Sequence, residues 1–212
     1  MPPAALITEF LVLFVAMPLA YRFAPGPVPA LPVLWVVALY CYWQLRGDET
    51  FDRSRLWNPR PFAAQFVSII SLFLTGALLL YLGVRLFMPE LLFNLVRAKP
   101  RVWATLMVFY PILSVYPQGI IYRSFLMHRY ASLLSSEWTL IFASATAFSF
   151  MHIVYQNPIA VTLTFIGGLI FAWRYSVTKS LLTSSVEHAL YGCWLFTVGL
   201  GDFFYHGRAQ LQ

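Results

Sequence analysis

The sequence predicts an all-α membrane protein, a polytopic helical bundle of about seven or eight spans that forms a single domain over residues 1–212. Of the 212 residues, 60% are hydrophobic and only 10% are charged, whereas a soluble domain carries about 25% charged residues. The hydrophobic residues occur in runs of about 20, the length that an α-helix needs to cross a bilayer. The segments between these runs are too short to hold a soluble domain.

The first three predicted spans are separated by segments with the composition of loops. A proline-rich stretch over 25–29 follows the first apolar run, and a polar loop over 46–61 follows the second. The third run is followed by a segment over 88–101 that ends in basic residues and fits an interfacial amphipathic helix. The three runs cover about 5–21, 33–45 and 62–87.

Four further runs are predicted to span the membrane in the second half of the chain. The first of them contains Pro111 and Pro117, which are expected to kink the helix and free backbone carbonyls. The second ends at Asn157-Pro158, and the fourth is followed by a tail in which His206 is predicted to be solvated. The four runs cover about 102–125, 138–155, 159–175 and 181–198.

The net charge of +6 does not indicate a nucleic-acid partner. The basic residues lie mostly in the connections between spans, where lysine and arginine commonly flank membrane helices. With seven spans, one side collects seven basic residues and the other six, so the sequence leaves the orientation open. The two cysteines, Cys41 and Cys193, supply neither a disulfide framework nor a cysteine-pair metal motif.

His152 and His188 are the most informative residues because each lies within a predicted span. A charged side chain at membrane depth costs about 2.5–3.5 kcal/mol on insertion scales, so ionisable residues kept there commonly serve a function. His152 shares a helix face with Phe148, and His188 shares one with Gly192. A single such histidine could be an inert, hydrogen-bonded tie between helices. Two in separate spans favour a shared site.

Two charged residues accompany the histidines. Arg123 lies deep in the fourth predicted span, where an arginine requires a carboxylate, freed carbonyls or water as acceptor. Glu187 directly precedes His188. Because neighbouring residues on a helix point about 100° apart, Glu187 is predicted to face away from the histidine unless the helix is distorted.

Three motifs stand in order along the second half of the chain. They read Tyr-Pro-Gln-Gly-Ile-Ile-Tyr-Arg at 116–123, Phe-Ser-Phe-Met-His at 148–152 and Glu-His-Ala-Leu-Tyr-Gly at 187–192. In order, spacing and placement they resemble the CPBP family, the CAAX-processing and bacteriocin-processing intramembrane proteases, also called the ABI family. That family's signature is Glu-Glu-x-x-x-Arg, then Phe-x-x-x-His, then His-x-x-x-Asn or a small polar variant. The resemblance covers a core of about residues 100–205.

The resemblance implies a hydrolytic site. In the family a glutamate and a histidine are thought to activate water, with or without a bound metal such as zinc or another divalent ion. The last histidine and its asparagine are thought to stabilise the oxyanion. Carried over by position, His152 would orient or bind the water, His188 would polarise the carbonyl, and both are candidate metal ligands. Arg123 would brace the first motif helix, and Phe148 would shape the pocket.

The chain departs from the signature at three positions. The two glutamate positions are Gln118 and Gly119, and the asparagine position is Gly192. Gln118 therefore stands at a catalytic position, although glutamine cannot take a proton at neutral pH and general-base help contributes roughly 10²–10⁴-fold in rate. Two imidazoles are also fewer than the three protein ligands of a usual catalytic zinc. Gly119, Gly192 and Glu187 are predicted to line the pocket, and Glu187, or more distantly Glu9, is a candidate replacement for the missing carboxylate.

Three functions are consistent with these residues. The first is a CPBP-type intramembrane endopeptidase that hydrolyses a peptide bond in a membrane protein, a membrane-embedded peptide or a lipidated peptide, in a bacterial inner (plasma) membrane. The second is a catalytically inactive pseudoprotease that acts as a membrane scaffold or regulator. The third is a transporter or a bis-histidine cofactor protein. The ordered motifs favour the first two over the third.

Overall fold

All regular secondary structure in the described part of the chain is helical. The computed structural model describes residues 2–26, 28–134 and 136–204, and 85% of it is helix with no strand in those ranges. The all-α class is therefore confirmed. The predicted solvated tail with His206 and the end of the predicted core at Tyr205 lie outside the described residues.

Eight helices follow one another through the described ranges when π-helical turns are counted with the helix that contains them. They are α1 (Pro3–Arg22), α2 (Ala30–Gly47), α3 (Arg60–Phe87), α4 (Asn94–Ala98), α5 (Pro100–Arg129), α6 (Glu137–Met151), α7 (Pro158–Thr178) and α8 (Leu181–Val198). Short 3₁₀ turns lie between some of them, at Arg53–Leu56, Pro89–Leu91 and His152–Tyr155, and another follows α8 at Gly201–Phe204.

Five helices of the described chain are long and apolar enough to cross a membrane. These candidate spans are Pro3–Arg22, Arg53–Phe87, Pro100–Arg129, Glu137–Tyr155 and Pro158–Thr178. Helices α2 and α8, of 18 residues each, form where spans were predicted and are long enough, but they are not apolar enough to belong to this set. The count of seven or eight spans therefore stays a prediction.

The segment predicted as one interfacial amphipathic helix over 88–101 is broken in the structure. A 3₁₀ turn at Pro89–Leu91 is followed by Phe93, whose φ of 56° places it in the left-handed region. Helix α4 has only five residues, and Lys99 separates it from α5. A non-glycine residue in the left-handed region does not continue a helix, so the apolar side chains of this segment do not share one face.

Side-chain caps set the starts of the three helices that follow α5. Ser136, Asn157 and Ser180 stand at the N-caps of α6, α7 and α8. In each case the side-chain oxygen accepts a hydrogen bond from the backbone N–H three residues later, at 2.7–3.1 Å. Such caps satisfy otherwise unpaired N–H groups at a helix start. The starts of α6, α7 and α8 are thereby fixed.

Close backbone approach joins α6 to α7. Gly168 lies against Ala145, and a Cβ added to the glycine would stand 2.9 Å from the Ala145 Cα. Thr164, one turn earlier, is buried and donates its hydroxyl to the Ala160 carbonyl at 2.6 Å. Small residues at such spacing let membrane helices pack tightly, so α6 and α7 pack against each other at close range.

The second half of α5 is the centre of the bundle. Every residue from 119 to 127 is buried, which is the pattern of a helix surrounded on all sides. The buried core around it draws on Phe14 of α1, Cys41 of α2, Phe148 of α6 and Phe171 of α7. Arg123 stands in the middle of this central segment.

The loop after α2 is tied to the end of α5 through Asp48. Its carboxylate accepts hydrogen bonds from the Thr50 amide at 2.9 Å and hydroxyl at 2.6 Å, and lies 3.0 Å from the His128 Nε2. The bonds from Thr50, with a smaller contribution from His128, lower the pKa of the Asp48 carboxyl to about 2. The folded loop therefore favours the ionised carboxylate.

We expect the stability of this loop to depend on pH below about 4. Because the pKa of Asp48 is lower in the folded chain than the unfolded value of about 3.9, its contribution is present above that pH and is lost as the pH falls toward 2. An Asp48→Asn variant should lose about 1 kcal/mol or less and show a flatter decline of the unfolding midpoint between pH 5 and pH 2.5. The exposed neighbour Glu49 supplies the control: Glu49→Gln should retain the wild-type decline. A decline that is identical in Asp48→Asn would contradict the assignment.

Candidate functional site

Arg123 is a fully enclosed cation at the centre of α5. Its side chain is 1% exposed and belongs to a π-helical turn, Ile120–Phe125; such turns are frequent at functional sites. The guanidinium carbon lies 4.4 Å from the ring centroid of Phe148 and 5.3 Å from that of Phe171. Among the described residues none accepts a hydrogen bond from any of its three nitrogens. Its charge is therefore met by aromatic faces.

His152 closes the end of α6. It is the C-cap residue, and its Nδ1 lies 2.7 Å from the Phe148 carbonyl oxygen. The Nδ1–H donates to this carbonyl, which has no helical partner at the end of a helix. The neutral ring then keeps a lone pair on Nε2. Its centroid lies 4.7 Å from that of the Phe148 ring.

His188 approaches the same phenylalanine from α8. Its buried imidazole is stacked on Phe171 with centroids 4.4 Å apart and planes at 22°, and meets Phe148 edge-on at 5.4 Å. Phe148 thus contacts both imidazoles. The two histidines predicted to share a site therefore both lie against one aromatic ring.

Gln118 and His152 line one cavity of about 310 Å³. The Gln118 Nε2 donates to the Ser114 hydroxyl at 2.9 Å, which leaves its side-chain carbonyl oxygen as an acceptor. Other polar groups of the lining come from tyrosines 21, 122 and 155, and no aspartate or glutamate lines it in the described chain. The cavity therefore joins the first and second motifs without a carboxylate.

The two motif glycines are enclosed by neighbouring side chains. A Cβ at Gly119 would stand 2.7 Å from the Leu181 Cδ1 and 3.1 Å from the Ser185 Oγ. A Cβ at Gly192 would overlap the ring and hydroxyl of Tyr110. Tyr110 therefore fills the space next to the position where the family carries asparagine, and sequence reasoning did not identify it.

Gly192 is expected to tolerate no side chain while Tyr110 is present. Gly192→Ala should destabilise the protein by about 1–3 kcal/mol, the usual cost of overpacking, and adding Tyr110→Val should restore most of the loss by vacating the space. Gly83→Ala is the control, since nothing lies within 4 Å of its added Cβ. Thermal unfolding in detergent measures the three variants; an unchanged midpoint in Gly192→Ala would contradict the packing.

Glu187 is directed away from His188, in agreement with the helical angle between the two residues. Its carboxylate binds Arg174 of α7 through the guanidinium Nε at 2.8 Å and Nη2 at 3.0 Å, and both side chains are 0% exposed. Gln65 and Ser68 of α3 bind the same guanidinium. Glu187 is therefore the partner of a structural cation, and it does not line the cavity of His152.

Glu9, the more distant candidate for a carboxylate, is also engaged elsewhere. It accepts hydrogen bonds from Arg129 at 2.9 and 3.3 Å, from the Tyr130 hydroxyl at 3.3 Å and from the Tyr40 hydroxyl at 3.0 Å. This network links α1 to the end of α5. Neither replacement carboxylate considered from the sequence reaches the cavity.

The donor set does not fit a metal ion. No group of three histidine, cysteine, aspartate or glutamate side chains lies close enough to hold one within 2–26, 28–134 and 136–204. A catalytic zinc usually has three protein ligands. The bond from the His152 Nδ1–H to the Phe148 carbonyl leaves Nε2 free to bind a metal, so the misfit lies in the number of ligands. In the part of the chain that the structure describes, His152 and His188 have no third donor beside them.

The family resemblance is tested by comparison with known proteins. Residues 99–194 match the family model described as type II CAAX prenyl endopeptidase, Rce1-like, and this segment contains all three motifs. The CPBP resemblance is confirmed. The match supports a CAAX-protease-type function in general, and with the five apolar helices it indicates an integral membrane protein. No curated protein and no solved structure matches the chain.

Within residues 99–194, the structure adds three residues that the motifs do not contain. Tyr110 lies against Gly192, Phe171 lies between Arg123 and His188, and Arg174 holds Glu187. The small residues of α7 that recur every four positions (Ala160, Thr164 and Gly168) predict close packing of that helix face. They do not predict the aromatic contacts of Phe171. Arg174 could have been found in the sequence as a basic residue near the end of a predicted span. Such a residue requires an acidic partner, and none had been assigned to it.

Proposed function

We propose that the chain binds a membrane-embedded or lipidated peptide in the cavity lined by Gln118 and His152 and hydrolyses it as a CPBP-type endopeptidase. The observation that carries this proposal is the shared cavity, which joins the first two family motifs. His188 of the third motif does not line this cavity, but its ring and that of His152 both contact Phe148.

The chemistry proposed for this cavity uses a neutral imidazole as base. The Gln118 carbonyl oxygen accepts a hydrogen bond from the attacking water, and the His152 Nε2 takes the water proton as the new C–O bond forms. His152 then returns this proton to the leaving amine as the C–N bond breaks. His188 is proposed to donate to the developing oxyanion, the role that preorganised donors perform in acyl transfer, although it does not line the cavity in the structure.

A second candidate function is a pseudoprotease that binds the same peptide without cleaving it. Two observations favour it: the described lining contains no carboxylate, and Tyr110 occupies the space beside Gly192. General-base help from a carboxylate is worth roughly 10²–10⁴-fold, so the wild-type rate is expected to be low. The mechanism uses no zinc or other divalent metal, because His152 and His188 supply fewer protein ligands than such an ion needs.

The setting proposed for this activity is a multi-pass protein of a bacterial inner membrane. Helices α2 and α8 are proposed as additional spans, which gives seven in one domain over residues 1–212. The partners are the bilayer and a membrane protein, peptide or lipidated peptide; no nucleic acid is involved.

The test is cleavage of prenylated and unlipidated transmembrane peptides by the protein in proteoliposomes. We expect slow turnover that His152→Ala abolishes and His128→Ala preserves, because His128 lies at the end of α5 against Asp48. Equal turnover in wild type and His152→Ala would refute the endopeptidase. Saturable peptide binding without turnover in the wild type would establish the pseudoprotease instead.

A further inference from the structure

The guanidinium of Arg123 is buried without an ionic partner among the residues that the structure describes. Its three nitrogens have no hydrogen-bond acceptor there, and removing an arginine from water without a counter-charge is unfavourable. Two aromatic faces lie against it, Phe148 at 4.4 Å and Phe171 at 5.3 Å. Cation–π contacts strengthen when the cation is desolvated, so these rings are its principal partners.

Each of these rings also contacts a histidine. Phe148 meets His152 at 4.7 Å and His188 at 5.4 Å, and its carbonyl accepts the His152 Nδ1–H at 2.7 Å. Phe171 meets only His188 of the two, in a stacked arrangement at 4.4 Å. The rings therefore connect one cation to both imidazoles.

The position of Phe171 is fixed independently of the rings. Its carbonyl oxygen accepts a hydrogen bond from the buried Ser184 hydroxyl at 2.8 Å, one turn before His188 on α8. This bond sets the register of α7 against α8. The ring of Phe171 is thus held at a defined position along α7, where it contacts both Arg123 and His188.

We propose that Arg123 is a positioning residue that acts through aromatic rings, and that Phe171 carries its effect to His188 while Phe148 carries it to both histidines. The cation holds both rings against itself, and the rings fix the planes of the imidazoles. The consequence for turnover rests on the proposed endopeptidase, whereas the imidazole positions are measured without substrate.

The experiment is NMR of histidine-labelled protein in nanodiscs. The chain has four histidines, so replacing each in turn assigns their Hε1–Cε1 resonances. A proton above an aromatic face is shifted upfield. Phe171→Leu should therefore move the His188 resonance downfield and leave that of His152 in place, whereas Phe148→Leu and Arg123→Met should move both. Arg123→Lys keeps the charge without the planar group and should give intermediate shifts.

Two controls separate positioning from general loss of packing. The His128 resonance, whose ring contacts Phe51 at 5.0 Å, should stay in place in every variant. Phe14→Leu removes an equally buried phenyl ring that contacts other aromatic residues, and should leave the resonances of His152 and His188 unchanged. If Arg123→Met does not fold, Arg123→Lys and Phe171→Leu decide the matter.

The proposal is wrong if Phe171→Leu shifts His152 as much as His188, or if folded Arg123→Met or Arg123→Lys leaves both resonances at their wild-type positions. Cleavage assays on the same variants then separate the two proposals. Displaced resonances in a protein without any turnover would support the positioning role and refute the endopeptidase.

Discussion

Gln118→Glu is expected to raise peptide hydrolysis by roughly 10²–10⁴-fold, the range contributed by a positioned general base. Glutamate has nearly the shape of glutamine, so the substitution places a carboxylate in the cavity of His152 without new steric demand. The hydrogen bond to Ser114 is preserved with its direction reversed, since the serine hydroxyl donates to a carboxylate. The base then lies beside the imidazole that is proposed to act alone in the wild type.

Three comparisons make this gain specific. Gln118→Leu removes the polar group and should give no increase, and Gln118→Glu combined with His152→Ala should return turnover to background. Gly119→Glu should also give no gain, because its side chain meets Leu181 and Ser185 and has to displace the leucine. Initial rates on one transmembrane peptide in proteoliposomes measure all of them. An equal gain from Gly119→Glu, or none from folded Gln118→Glu, would show that the cavity is not the reaction site.

The sequence was sufficient for features that depend on local pattern. Low charge and long apolar runs predicted the all-α class, and the helical angle of about 100° per residue correctly separated Glu187 from His188. The spacing of Phe148 and His152 placed both on one face, where the structure finds a ring contact and a hydrogen bond between them. The family motifs located the segment that the comparison confirms.

The remaining features depend on contacts between distant segments. The spacing around Arg123 and His188 does not show that Phe171 lies between them, because that contact arises from the packing of α5, α7 and α8. The sequence likewise predicted a carboxylate, freed carbonyls or water as the acceptor for Arg123, whereas the residues that the structure describes supply aromatic faces. The apolar residues of 88–101 predict one amphipathic helix, but Phe93 has a left-handed backbone, and its N–H donates to the Val198 carbonyl at the end of α8 at 3.2 Å.

Arg174→Met is expected to lower the free energy of unfolding by about 3–5 kcal/mol, the usual cost of leaving one partner of a buried ion pair uncompensated. The substitution keeps much of the side-chain volume but leaves the Glu187 carboxylate at 0% exposure without its cation. It also leaves Gln65 and Ser68 of α3 without the guanidinium that they bind. Three helices meet at this one group, so its loss loosens α3, α7 and α8 together.

A second substitution distinguishes the lost charge balance from lost packing. Arg174→Met with Glu187→Leu should recover most of the stability, because replacing both members of a buried pair by apolar residues is often nearly neutral. Lys179→Met is the control: it removes an ion pair with Glu137 whose side chains are 51% and 62% exposed, and such pairs contribute about 1 kcal/mol or less. Titration with sodium dodecyl sulfate in mixed micelles measures the unfolding free energies. If the double variant is no more stable than Arg174→Met, the arginine acts through its packing and its bonds to α3 rather than by balancing the charge of Glu187.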